Sequence, residues 1–87
     1  MKLKPGYIVR SIAGETIVVP TGEEAIRFNG IMTLNKTGKV LFEALQKETK
    51  PEELVELLTD RFEIDKLTAT NDVFEFVNRL KEKGLML

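Results

Sequence analysis

Glu52, Glu53 and Glu56 are the densest gathering of side chains able to do chemistry, three carboxylates within one helical turn or so. Such a spacing could supply an acid and a base, or ligands for a hard cation. The rest of the chain does not complete either site. It contains no histidine and no cysteine, which removes the commonest metal ligand, the commonest general base and every thiol nucleophile. No carboxylate from another segment converges on the three, and negative charge at the start of a helix complements the helix dipole. Thr37-Gly38-Lys39 lacks the remaining glycine pattern of a phosphate-binding loop, so it carries no nucleotide signal. Lys36, Lys39 and Lys47 read as a solvated helix face. The sequence therefore points away from an enzyme, with no cofactor and no metal expected, and towards recognition.

Composition narrows the partner. Thirteen Lys and Arg stand against fourteen Asp and Glu, a net charge of −1, so no global field draws the chain to nucleic acid or an anionic membrane. With 87 residues, 43% of them hydrophobic, one core and one domain over residues 1–87 are expected, with a stability of roughly 5 to 10 kcal/mol. No apolar run approaches the ~20 residues of a membrane span. Met1-Lys-Leu-Lys-Pro5 starts no signal-peptide apolar region, and a cytoplasmic location is expected.

The elements that must position a recognition surface fall into two halves, joined at Gly30 to Gly38. Strands are expected at about residues 6–12, 15–19 and 31–34, and helices at about 36–47, 50–61 and 66–83. In the first strand, alternation puts Tyr7, Val9 and Ser11 on one face. Gly14 suits a bulged hairpin turn, and Thr21 to Asn29 reads as a structured loop pinned by Ile26 and Phe28. In the third strand Met32 and Leu34 share one face and Ile31 and Thr33 the other.

Asn35 is placed to cap the first helix, whose apolar stripe is Thr37, Val40, Leu41, Ala44 and Leu45 with Phe42 at its margin. Thr49-Lys-Pro-Glu52 has the form of a capping box, ahead of inward-facing Leu54, Leu57, Leu58 and Phe62. Asp65 is expected to cap the third helix and Gly84 to end it. The core stripe of that helix is Val73, Phe76, Val77 and Leu80, and Leu85 and Leu87 are expected to fold back on the core.

If the strands form a meander, its two edges are unequally protected. The first is flanked by Lys2, Lys4 and Pro5 and carries Arg10, all of which discourage pairing, whereas Gly30, Ile31, Met32, Thr33 and Leu34 carry no charge and no proline. The third strand is thus the expected docking edge for an added strand, with main-chain hydrogen bonds supplying affinity. An unprotected edge also allows a monomer or an edge-strand dimer.

The chain resembles the PqqD family, the small precursor-peptide recognition elements of ribosomal peptide maturation. The residues carrying the resemblance are Gly14-Glu15-Thr16 with Val18-Val19-Pro20, Phe28-Asn29-Gly30, Leu34-Asn35 with Thr37-Gly38, Leu41-Phe42-Glu43 with Leu45, Glu53-Leu54-Val55, Asp72-Val73 with Phe76, and Gly84-Leu85. The resemblance implies an α+β, winged-helix-like fold, a three-stranded antiparallel sheet followed by three helices. It implies a non-catalytic adaptor that holds the leader segment of a precursor peptide between the third strand and the third helix. The substrate is then presented to a partner maturation enzyme, a radical SAM (S-adenosylmethionine) protein in many members.

On the third helix Phe74 lies about 100° from Val73, beside the core stripe, and shares that flank with Thr70 and Lys81. These three are the expected groove wall, with Lys81 suited to an acidic leader residue. Asp72 and Arg79 fall on the opposite flank and read as surface or enzyme contacts.

Two other functions fit the same elements. A winged-helix DNA-binding regulator would insert the third helix into the major groove, but Lys66, Arg79, Lys81 and Lys83 are matched by Asp65, Asp72, Glu75 and Glu82, and phosphate affinity needs a positive surplus. A small structural subunit without peptide capture is the other.

Overall fold

The computed structural model describes residues 1–23 and 32–87. Three strands, β1 (Tyr7–Ile12), β2 (Glu15–Pro20) and β3 (Met32–Leu34), precede three helices, α1 (Lys36–Ala44), α2 (Pro51–Arg61) and α3 (Lys66–Glu82). The strands form an antiparallel sheet in the order β1-β2-β3, leaving β1 and β3 at its edges. The expected residues Gly30 and Ile31, like Ile26 and Phe28, lie outside the described residues.

The β1–β2 hairpin closes over Ala13 (φ 52°) and Gly14 (φ 81°). Two successive left-handed residues make the tight two-residue loop whose twist matches that of the strands. The ladder runs unbroken to Ile12 opposite Glu15, so the expected bulge is absent. Along the sheet's inner face Tyr7, Val18, Met32 and Leu34 are buried, and Val9 packs against the same core.

Helix α1 is capped as its sequence demands, with Asn35 Oδ1 accepting from the Gly38 N–H over 2.8 Å. Its buried residues are Gly38, Leu41 and Phe42, followed by Leu45 at the C-cap, and Phe42 is fully buried rather than marginal. The stripe runs i, i+3, i+4, i+7 from a glycine, which an apolar scan passes over because it has no side chain. A Cβ at Gly38 would stand 3.3 Å from Phe76 Cε1 and 3.6 Å from Leu34 Cδ2. Glycine thus lets β3, α1 and α3 meet closely. The helix also stops at Ala44, earlier than expected. Thr49, buried, turns its hydroxyl to the carbonyls of Ala44 (2.9 Å) and Lys47 (2.8 Å), one proton shared between two acceptors.

Because Thr49 is occupied there, Lys50 and not Thr49 is the first residue flanking α2, and Glu53 Oε1 accepts from the Lys50 N–H at 3.4 Å. Pro51 at the helix start has no donor to leave unpaired. Leu54 and Leu58 are fully buried; Leu57 and Phe62 are only half-buried. Helix α3 buries Ala69, Val73, Phe76, Val77 and Leu80. It ends as expected at Gly84 (φ 76°), where the Leu85 N–H reaches Leu80 O (2.9 Å) and the Gly84 N–H reaches Lys81 O (3.0 Å).

The first and last residues are tied together, which the sequence does not announce. Leu3 pairs with Met86 in an antiparallel bridge, Lys4 N–H donates to Leu85 O (2.8 Å), Leu87 N–H to Lys2 O (3.0 Å), and Leu3 N–H to Leu45 O (2.9 Å). Leu3 and Leu85 enter the core; Leu87 is held by its backbone while its side chain is exposed, against expectation.

Candidate docking edge and its flanking helix

Which backbone groups β3 offers follows from the register. Just past the strand ends, the Thr21 N–H donates to Gly6 O over 2.7 Å, so the main-chain groups of Gly6 face β2, and by alternation so do those of Ile8, Arg10 and Ile12. Their partners Glu15, Ile17 and Val19 face back towards β1, which leaves Thr16 and Val18 to face β3. Opposite Thr16 and Val18 stand Leu34 and Met32, and opposite Ile17 stands Thr33. The ladder is therefore made through Met32 and Leu34, and both the N–H and the C=O of Thr33 point outward. Among the described residues no strand pairs with β3 on that side. Side chains follow the same alternation: Met32 and Leu34 are buried beneath the sheet, and Thr33 is exposed.

Helix α3 turns a different flank from the expected one towards Asn35 and the start of α1. At the end of β3, Asn35, Thr37, Gly38 and Leu41 face Asp72, Glu75, Phe76 and Arg79 across a hollow of about 130 Å³. Thr70 and Phe74 lie on the other flank, in a cleft against α2, and Lys81 is exposed in the last turn and lines neither hollow. Phe74 is 61% exposed. The Thr70 hydroxyl donates to its own helix at Lys66 O (2.7 Å). Asp72, Glu75 and Arg79 thus share a hollow with Asn35, the residue that follows β3, while Thr70 and Phe74 line the separate cleft against α2.

The reason is the rotation of α3, fixed by which side of the Val73–Val77 stripe meets Gly38. Phe76 takes that position. An exposed aromatic beside the core stripe looks like a groove wall in sequence, but Phe74 is on the α2 side. The one signal that could have fixed the rotation was Gly38, a helical glycine at a close approach.

Electrostatically the hollow carries two carboxylates and one guanidinium. Among the described residues no ion pair joins Asp72, Glu75 or Arg79 to a partner. Among the same residues no group of three or more acidic, histidine or cysteine side chains is placed to hold a metal. Among the described residues Asp65 has a clear cause for a shift: the Thr68 backbone N–H, 2.7 Å from its Oδ1, holds the carboxyl below its ordinary value. No helix among the described residues is long and apolar enough to cross a membrane.

The model of the family described as coenzyme PQQ synthesis protein D (PqqD) matches residues 8–86. The chain belongs to the PqqD family. The fold of this PqqD-family chain is similar to two solved structures. One is TbiB1 in complex with the TbiA(beta) leader peptide, at a TM-score of 0.76 and 21% identity over 98% of this chain and 93% of that one. The other is a lasso peptide synthetase B1 complexed with the leader peptide, at 0.74 and 23% identity over 99% and 95%. No curated protein sequence matches the chain. The three-stranded antiparallel sheet followed by three helices, expected from the resemblance, is the fold observed.

Proposed function

We propose that this PqqD-family chain is a non-catalytic adaptor that captures the leader segment of a ribosomally made precursor peptide as a fourth strand on β3. The outward N–H and C=O of Thr33, at a charge-free sheet edge, carry this reading. A strand laid there gains main-chain hydrogen bonds irrespective of its sequence, and its side chains supply specificity. Gly30 and Ile31 belong to the same uncharged stretch of sequence and lie outside the described residues. Side chains of the added strand that point towards α3 would meet Asp72, Glu75 and Arg79 over a floor of Phe76 and Leu41. Thr70, Phe74 and Lys81 are not assigned contacts with the leader, since their positions on α3 do not face the hollow.

Two structural neighbours complexed with leader peptides support capture of this ligand class. The partner that receives the captured substrate is a maturation enzyme, for which the family suggests a radical SAM protein, acting in the cytoplasm where the precursor is made. A bare β3 edge would also let two copies pair when no peptide is present.

Titration of isotope-labelled protein with the leader peptide encoded beside its gene tests the proposal. Amide shifts are expected to cluster on Met32–Leu34 and on Asp72, Glu75 and Arg79. Shifts confined to other surfaces, or none at all, would overturn it.

A further inference from the structure

On the far flank of α3 a second and larger hollow, about 700 Å³, opens between α2 and α3. Helix α2 frames it with Glu52, Val55, Glu56 and Thr59, an i, i+3, i+4, i+7 stripe, and α3 frames it with Lys66, Thr70 and Phe74 at i, i+4, i+8. Pro51, Val55 and Ile64 make its floor apolar. Phe74 stands at its side 61% exposed, and Leu67, two turns earlier on the same helix face at i−7, is 72% exposed. Aromatic side chains held out in this way are the residue type that dominates protein interfaces.

The chemistry of the hollow selects its occupant. Helices satisfy their own backbone groups, so a leader strand would find no main-chain partners between α2 and α3, unlike at β3. A small molecule needs fixed polar groups converging on it, whereas the charged groups here sit at the rim, on exposed Glu52, Glu56 and Lys66. The α2 rim is acidic, and Glu53, Asp60 and Glu63 extend that charge along and beyond the helix. From Glu52 to Thr59 the rim runs for about 10 Å at 1.5 Å per residue, the length of two helical turns.

We propose that this cleft docks an amphipathic helix of the maturation enzyme, with a two-turn apolar stripe packed on Val55, Ile64 and Phe74 and Lys or Arg side chains turned towards Glu52 and Glu56. The proposal rests on the adaptor reading, because that reading supplies the enzyme. It adds that peptide and enzyme occupy opposite flanks of the same helix, so both are bound at once.

The test measures affinity of the full chain for two probes separately: the leader peptide, and the purified maturation enzyme encoded beside it. Phe74→Ala, at an exposed position that leaves the core intact, is expected to weaken enzyme binding roughly tenfold and leave leader affinity within twofold. The pair Glu52→Lys with Glu56→Lys is expected to weaken enzyme binding most at low salt and to flatten its salt dependence. Enzyme binding unchanged in both variants overturns the proposal, as does loss of leader binding in Phe74→Ala, which would put the peptide in this cleft. Failure of the unmodified protein to bind the leader overturns the adaptor reading instead, and the enzyme titration then reads the cleft by itself.

Discussion

Replacing Thr33 by proline separates docking from folding, because the register assigns that residue's N–H to the outside. Proline removes the donor and fixes φ near −65°, and in a sheet it is tolerated where the lost N–H faces away from the ladder on an edge strand. Thr33 meets this condition: the β2–β3 ladder is carried by Met32 and Leu34, and the Thr33 side chain is exposed. The residue before it, Met32, is already extended, as a position preceding proline must be.

The fold should therefore survive with a small loss of stability. A strand docked on β3 would lose one main-chain hydrogen bond, and its own carbonyl would be left facing the proline ring. That costs about 1 to 3 kcal/mol, or about 5- to 150-fold in the dissociation constant.

Calorimetric titration with the leader peptide reads the affinity, and thermal melting with the amide spectrum reads the fold. Thr33→Val, which keeps the N–H, should bind as the parent does. A folded Thr33→Pro protein with unchanged affinity would refute the outward register or the docking edge. Equal losses in the proline and valine variants would show that the side chain, not the backbone, is recognised.

Gly38→Ala should destabilise the protein by about 1 to 3 kcal/mol through crowding, in spite of alanine's better helix propensity. The new Cβ would lie 3.0 Å from Asn35 Oδ1 and 3.3 Å from Phe76 Cε1, and denaturant unfolding measures the change. Asn35→Ala, which deletes the cap to Gly38, should cost about 1 kcal/mol in the same assay, with Asn35→Asp largely restoring it. Leu3→Ala should cost about 2 to 5 kcal/mol, because Leu3 is buried against the core beside Leu45 and Leu85, and a loss below 1 kcal/mol would count against the packed terminal bridge.

Carbonyl-detected NMR of Asp65 should give a midpoint below the ordinary 3.8, since the Thr68 amide favours the carboxylate. A depressed folded value means that the cap's contribution is present above the unfolded value and is lost as pH falls through the folded one. The acid-side loss should therefore disappear in Asp65→Asn.

Local rules carried most of the fold. Asn35, Asp65 and Gly84 cap or end helices where their side chains or missing Cβ require it, and the alternation of Met32, Thr33 and Leu34 is the one observed. The departures occur where a residue's role is set by a distant neighbour. Thr49 looks like a helix cap by type and spacing, but the carbonyls at the end of α1 compete for its hydroxyl and win. Phe42 looks marginal until Gly38 is counted as part of a buried stripe. Leu3 gives no sign in sequence that Met86 lies across from it, since that pairing joins opposite ends of the chain.

The candidate site was legible to the same degree and for the same reasons. Its strand half rests on backbone alternation and on the absence of charge, both local, and the register turned the expectation for Thr33 into an assigned direction. Its helix half rests on the rotation of α3, a long-range property fixed by the approach of Phe76 to Gly38. This split has a consequence for specificity. A strand of three residues offers few main-chain bonds, and those cannot tell one peptide sequence from another. In the proposed complex, discrimination would fall to Asp72, Glu75 and Arg79, whose mixed charges would reward a leader carrying a complementary pattern at the hollow. With affinity from the strand and choice from the helix, changes on one flank of α3 would alter which peptide is taken while the sheet, the core and the α2 cleft stay as they are.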